Sequence, residues 1–333
     1  MAARPVGHEA AARLAVGAAA LALPLALFGA WRISNDSGPV TLRARMSEDG
    51  GWTPDTLRVE VGEPLDLRLV SDDVVHGFAV GQSEAPSLEL PPGQFVSTTL
   101  TFDQPGSYAF YCTRWCGPDH WRMRGVIEVS GPAGAAVPPS RPPLYETLGI
   151  DLDAPHPAAA VPNTRPSPAR GAALDIALPE ALTTRSSYVA RAPAETWLEL
   201  RDDPTTRALS DDEVWDLVAW AWRANTNEAT LERGASLFAQ NCAACHGETA
   251  AGDGVMSDSI AAATMESNAS TSGGPADFTD PSRMLGASPA LLHGKITRGG
   301  MGTGMPYWGP LFTEAEIWAL TDYLWTFQFE ETP

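Results

Sequence analysis

Residues 112–123 read CTRWCGPDHWRM. Two thiols, an imidazole and a thioether fall within this one loop, in the pattern C-x3-C-x3-H-x2-M. A second imidazole, His76, stands in VVHGFAV at the end of a predicted strand. Soft thiolate and thioether donors together with imidazole select copper over magnesium or calcium. A single blue-copper site needs one Cys and two His, whereas this loop offers both Cys112 and Cys116. Zinc fits a Cys2His2 set, but it has no use for Met123 at that offset.

The surrounding sequence, residues 40–131, reads as a β-domain. Leu65, Leu67 and Leu69 alternate with polar residues, as do Val59 and Val61, and the stretch from Phe95 to Phe102 is rich in Thr and Val. Turn signals at 61–64, 91–93 and 104–106 separate the runs. Several short strands at this spacing predict a β-sandwich.

Residues 56–130, with VVHGFAV, the PPG turn, GSYAFYC, the metal loop and the closing strand GVIEV, resemble the CuA domain of cytochrome c oxidase subunit II. A single hydrophobic segment upstream makes the chain most similar to subunit II of B-type haem–copper oxidases. The resemblance implies a cupredoxin-like Greek-key sandwich and a dinuclear copper site. Cys112 and Cys116 would bridge the two coppers, and His76 and His120 would each bind one. Met123 and the backbone carbonyl of Arg114 would be weak ligands. Many family members carry Glu where this chain has Arg114, which changes the local charge but leaves a carbonyl in place.

A second signal lies in NCAACHGE, residues 241–248. C-x-x-C-H attaches c-type haem: Cys242 and Cys245 add to the vinyl groups and His246 binds the iron. A thioredoxin-like pair would want a βαβ context, which is missing here. The second axial ligand is expected downstream, in GGMGTGMPYWGP. This part, 227–333, resembles an all-α class I cytochrome c, in which the ligand methionine is commonly followed by Pro and then by the last helix. Met305-Pro306 fits that pattern, with Met301 as the alternative. The resemblance also suggests that the carbonyl of Pro275 holds the haem histidine. His293 reads as a surface helix residue, and Met256, Met265 and Met284 read as packing residues.

Between the two signals, ten of the 29 prolines crowd into residues 131–170. That concentration predicts a Pro/Ala-rich semi-rigid linker over 132–170, with His156 solvated inside it. Residues 209–222 (LSDDEVWDLVAWAW) and 312–325 (FTEAEIWALTDYLW) align without a gap, 103 residues apart. Each opens with a capping box, Ser210-x-x-Glu213 or Thr313-x-x-Glu316, and continues as an apolar helix stripe. The first copy has no cysteine upstream. Residues 171–226 are therefore expected to form a degenerate, haemless cytochrome c-like segment.

Residues 14–31, LAVGAAALALPLALFGAW, contain no charge. A bilayer core takes about 20 apolar residues, and Trp31 suits its interface. Arg4 and Arg13 precede the run, so residues 1–39 are expected to be a cytoplasmic tail and a single-pass anchor. The redox domains would then lie on the periplasmic side of the cell membrane. A cleaved signal peptide is the alternative, but Phe28-Gly29-Ala30 puts a large residue where a small one is wanted.

The formal charge is −19, with 13 acids against 4 bases in residues 227–333 alone. Phosphate binding needs a basic face, so nucleic acid is excluded as the main partner. No nucleophile–His–acid set and no phosphate-cradling glycine loop are present, so no catalytic residue is assigned. Two one-electron centres on one chain predict an electron relay. The resemblance to fused subunits of the family implies its direction: electrons would enter at haem c from a soluble, basic cytochrome c or cupredoxin donor, move to copper, and leave to a membrane catalytic subunit I that reduces oxygen. A nitric oxide reductase subunit and a standalone anchored electron carrier are the competing readings.

Overall fold

The computed structural model describes residues 38–83, 86–117, 119–131, 142–266, 274–300 and 304–330. The expected anchor at 14–31 and the alternative ligand Met301 lie outside them. Among the described residues, no helix is long and apolar enough to cross a membrane.

Among the described residues, nine strands form two sheets. They are β1 (Val40–Ala44), β2 (Trp52–Thr53), β3 (Thr56–Glu60), β4 (Leu65–Ser71), β5 (His76–Val80), β6 (Leu88–Leu90), β7 (Phe95–Leu100), β8 (Gly106–Tyr111) and β9 (Arg124–Ser130). One sheet runs β2-β1-β4-β7 and the other β3-β9-β8-β5-β6. The period of two along β4 buries Leu65, Leu67 and Leu69 and leaves Asp66 and Arg68 in solvent. Between the sheets, Trp52 meets Phe78 and Phe110 edge-on, with ring centroids 5.8 and 5.5 Å apart. This aromatic cluster lies beneath the metal loop, and the Trp52 indole N–H donates to the Met123 carbonyl at 3.0 Å. Burial of each such ring contributes about 1.5–3 kcal/mol, so the loop rests on a stiff floor.

Twelve helices of four residues or more follow among the described residues. In chain order they are α1 (Leu144–Thr147), α2 (Pro168–Ala173), α3 (Glu180–Thr183), α4 (Arg185–Ala190), α5 (Pro193–Asp202), α6 (Asp211–Ala224), α7 (Glu228–Asn241), α8 (Ala243–His246), α9 (Ser257–Glu266), α10 (Pro281–Met284), α11 (Pro289–Arg298) and α12 (Glu314–Leu324). Both expected capping boxes form. The amide of Glu213 donates to Ser210 Oγ at 3.3 Å, and Ser210 N–H donates back to the Glu213 carboxylate at 2.7 Å. At Thr313 and Glu316 the same pair measures 3.2 and 2.8 Å. Both apolar stripes are buried: Val214, Leu217, Val218, Ala221 and Trp222 in α6, and Ile317, Leu320, Leu324 and Trp325 at and just beyond α12.

Each copy of the repeated helix crosses a partner at a glycine. On α7, a Cβ added to Gly234 would overlap the carbonyl oxygen of Ala319 on α12. On α2, a Cβ added to Gly171 would overlap the carbonyl oxygen of Asp216 on α6. Asp216 and Ala319 occupy the same place in the two aligned copies. Only a residue without a side chain permits backbones to approach this closely.

Three expectations need correction. The described part of the expected semi-rigid linker is a strap packed on the helices. Leu152 is buried and Tyr145 packs beside it against Gly294 of α11, while Ala158 N–H donates to the Ser282 carbonyl at 2.8 Å. The apolar residues of LYETLGIDL, set between the prolines, drive this burial. His156, carried on the strap, is half-buried rather than solvated, and burial lowers its pKa. His293 is buried rather than exposed: its ring lies 4.6 Å from Trp318 and its Nε2 lies 3.2 Å from Glu314. Met256 and Met284 are buried, as expected of packing residues, while the side chain of Met265 is outside the description.

Candidate copper and haem sites

The copper-loop residues converge at one end of the sandwich. Strand β8 ends at Tyr111, so Cys112 leaves it pointing inward, with its N–H donating to the Met123 carbonyl at 3.1 Å. His76 opens β5, the neighbour of β8, rather than ending a strand. The Cys112 and Cys116 sulfurs are 4.0 Å apart. His76 Nδ1 is 3.7 Å from Cys112 Sγ, and His120 Nδ1 is 3.5 Å from Cys116 Sγ. Met123 Sδ is 3.3 Å from Cys116 Sγ, and the Arg114 carbonyl is 3.2 Å from Cys112 Sγ. All six residues read from the sequence therefore meet around two sulfurs. Cys112, Cys116, His76, His120 and Met123 are all buried.

Several neighbours shape this cluster. The Arg114 guanidinium turns outward to pair with Glu89, which leaves its carbonyl facing the sulfurs. Gly117 has φ +140°, and the turn could not close with a side chain there without strain. Asp73, which sequence reasoning missed, accepts from His76 Nε2 at 2.7 Å and fixes the ring so that Nδ1 faces Cys112. Burial would favour a neutral Asp73. Hydrogen bonds from the Met46 and Val74 amides and from His76 outweigh it and hold the carboxyl below its ordinary value. A hydrogen bond from Cys116 pulls the Cys112 pKa down, and Cys112 in turn pushes that of Cys116 up. A thiolate so placed is a ready soft donor.

The haem-motif residues follow α7 directly. Cys242 caps α7, and α8 carries Cys245 and His246. Both thiols are free, and burial pushes Cys242 up to about 12 and Cys245 up to about 11. His246 Nδ1 lies 3.0 Å from the carbonyl of Ala276, not that of Pro275, which instead faces Gly252. The expectation is thus one residue out of register. The His246 ring stacks on Phe278 at 4.5 Å, and burial lowers its pKa. Met305 packs against the same core. Its carbonyl accepts from Gly300 N–H at 3.1 Å, tying the loop to the end of α11. Phe278 and Ala276 were likewise missed.

Comparison with known proteins bears on both halves. Residues 229–324 match the family model described as cytochrome c oxidase, cbb3-type, subunit III. A cytochrome c oxidase subunit 2 from Thermus thermophilus is 34% identical over 79 residues, which is 24% of this chain and 58% of that relative. The chain joins a region homologous to oxidase subunit II to a cytochrome c domain. The cbb3-type oxidase subunit FixP of Azorhizobium caulinodans is 34% identical over 95 residues, covering 28% of this chain and 26% of that one. The chain thus spans about half the length of the subunit 2 relatives, 58% of one and 46% of another. Among solved structures, a chain of a haem–copper terminal oxidase dimer is similar over 36% of this chain and 99% of its own, at 23% identity and TM-score 0.24. The periplasmic domain of oxidase subunit II (CoxB) from Bradyrhizobium japonicum is similar over 29% and 88%, at 18% identity and TM-score 0.23.

Proposed function

We propose that this chain is the electron-transfer subunit of a membrane haem–copper oxidase. Its residues would hold haem c and a dinuclear CuA centre, and these would supply one-electron transfer from an external donor to a catalytic subunit I that reduces oxygen. The observation that carries this reading is the pairing of two sulfurs, two imidazoles, a thioether and a carbonyl around one point, on the same chain as a cytochrome c domain.

The donor set fits copper in number and softness. Cys112 and Cys116 would bridge, His76 and His120 would each hold one metal, and Met123 and the Arg114 carbonyl would bind weakly. Asp73 would keep the His76 tautomer fixed. The second site fits haem: Cys242 and Cys245 would attach it, and His246, oriented by Ala276, would offer Nε2 to the iron. Met305 would complete the axial pair. A haem held by these residues would supply one-electron transfer. The chain's own task is to hold both centres, exclude water from the copper loop and keep ligand geometry constant between redox states.

Within this reading, residues 171–226 are a cytochrome-like copy without haem, which keeps the helix crossing and has no cysteine. Residues 1–39 anchor the chain, with both redox domains on the periplasmic side. The acidic haem domain selects a basic donor, whose association rate should fall as salt screens the attraction.

The reading is tested by purifying the full chain from membranes under mild solubilisation. A large polytopic subunit that co-purifies and consumes oxygen with a reduced basic cytochrome supports it. Purification of the chain alone, or turnover of nitric oxide with no oxygen uptake, contradicts it.

A further inference from the structure

The two domains are joined by a specific contact that neither site requires. The turn at 307–312, which follows Met305 and precedes α12, lies against the outer side of β5 and β8. Gln82 N–H donates to the Leu311 carbonyl at 2.9 Å, and the Gln82 side-chain amide donates to the Gly309 carbonyl at 2.8 Å. A Cβ added to Gly81 would overlap the Pro310 carbonyl oxygen, so the backbones are in direct contact. Arg124, the residue after Met123, donates from Nη1 to the Tyr307 carbonyl at 3.1 Å. Its guanidinium also sits 5.1 Å from the Tyr307 ring and 5.4 Å from the Trp308 ring. Tyr111 and Ala79 of the β-domain belong to the same buried apolar cluster as the helical domain.

A chain of aromatic rings crosses this contact. Trp308 stacks on Phe312 with centroids 5.0 Å apart and planes 5° from parallel. Phe312 meets Tyr111 edge-on at 6.4 Å. Tyr111 is bonded to Cys112, and Trp308 stands three residues beyond Met305. The alternation of β8 produces the last step: Cys112 turns into the metal loop while Tyr111 turns out to the haem domain.

We propose that Arg124 and Gln82 latch the haem domain onto the copper domain, and that electrons cross along Trp308, Phe312 and Tyr111 to Cys112. This rests on the assignment of haem and copper above. The transfer moves one electron: ferrous haem is oxidised to ferric and the oxidised copper pair is reduced by one electron, with no bond made or broken and no proton moved. Arg124 is a positioning residue. It ties the backbone beside one expected copper ligand to the loop that carries the expected axial methionine. Because the latch fixes the 307–312 turn on the copper domain, the external donor must use another face of the haem domain.

The experiment uses the full chain with both centres loaded. Haem is reduced by a laser flash with a ruthenium photoreductant, and its reoxidation is followed with the copper absorbance. Hydrogen exchange at the Gln82 amide is measured in parallel, because that N–H is protected only while the domains are docked. Arg124→Gln should lower the transfer rate about tenfold, the factor expected for loss of one charge-assisted hydrogen bond from a docking equilibrium, and should expose the Gln82 amide. Phe312→Leu should slow transfer while the Gln82 amide stays protected. Gln82→Gly is the variant least able to harm folding, since Gln82 has φ 55°, and it should slow transfer in the same direction as Arg124→Gln.

An unprotected Gln82 amide in the parent chain would overturn the docking. Parent-like rates in Phe312→Leu would overturn the ring route, and parent-like rates in both Arg124→Gln and Gln82→Gly would overturn the latch. A parent chain that holds both centres but passes no electron between them would instead overturn the function proposed above, while the exchange data would still report on docking.

Discussion

Trp222 and Trp325, which hold the same place in two copies of one helix motif, meet edge to face with ring centroids 6.2 Å apart. Both indoles are buried. The copies therefore pack against each other, in addition to each packing on its own partner helix. An ion-paired seam closes the arrangement: Arg170 reaches Asp216 of α6 and Glu330 beyond α12, each at 2.9 Å. Among the described residues, the helices of both copies share one buried core, with equivalent surfaces of the two copies facing inward.

The glycine crossings carry the first prediction. Gly234→Ala should destabilise the helical domain by about 1–3 kcal/mol, the usual cost of overpacking, because the α7–α12 backbones must separate. Gly171→Ala should cost a similar amount. Thermal denaturation of the full chain measures both. A neutral Gly171→Ala would show that the first crossing does not constrain packing and would remove the main physical support for a degenerate copy.

Cys116→Ser should abolish copper binding and leave covalent haem untouched. Cys116 is the hub of the cluster, near Cys112, His120 and Met123, while the haem motif lies in the other domain. Metal analysis with a haem spectrum checks this. Loss of both cofactors together would contradict separate sites.

Met305→Ala should remove the Met–His low-spin haem signature, and Met301→Ala should retain it. Near-infrared absorbance of the oxidised protein reads the axial methionine directly. Reversal of the two results would move the ligand to Met301.

Much of both sites was legible in the sequence because the chemistry is concentrated. Cys112, Cys116, His120 and Met123, the expected copper donors of the loop, lie within twelve residues, and the expected haem contacts Cys242, Cys245 and His246 within five, so their spacing points to them, whereas the Arg114 carbonyl follows only from the family resemblance. The parts that were not legible depend on surroundings with no local signature. Asp73 looks like any polar turn residue until the fold brings it to His76. The Ala276 carbonyl differs from the Pro275 carbonyl only by where the chain turns. His293 lies between Leu292 and Gly294 and shows a surface-like helix pattern, yet Trp318 covers it. The prolines of the strap obscured Tyr145 and Leu152, whose burial makes that segment part of the helical body.

Asp322 gives a prediction in pH. It is buried, and its burial raises the carboxyl pKa above 3.8, outweighing the hydrogen bond from Tyr188 and the charge of Arg185. A raised carboxyl pKa contributes stability below the unfolded value that is lost as pH rises through the folded value. Asp322→Asn keeps an acceptor for the Tyr188 hydroxyl, 2.6 Å away in the parent, and removes the charge. The variant should therefore gain stability relative to the parent as pH rises from about 3.8 to neutrality. Melting temperatures across that range test it, and a gap that narrows with rising pH would contradict the sign.

An anaerobic reductive titration of the purified full chain, with copper and iron determined on the same sample, tests most directly whether one chain holds both centres. Two coppers and one covalently bound haem per chain are expected, with uptake of two electrons, one bleaching the copper absorbance and one reducing the haem. A single copper, a haem removed by acid extraction, or uptake of one electron would contradict it.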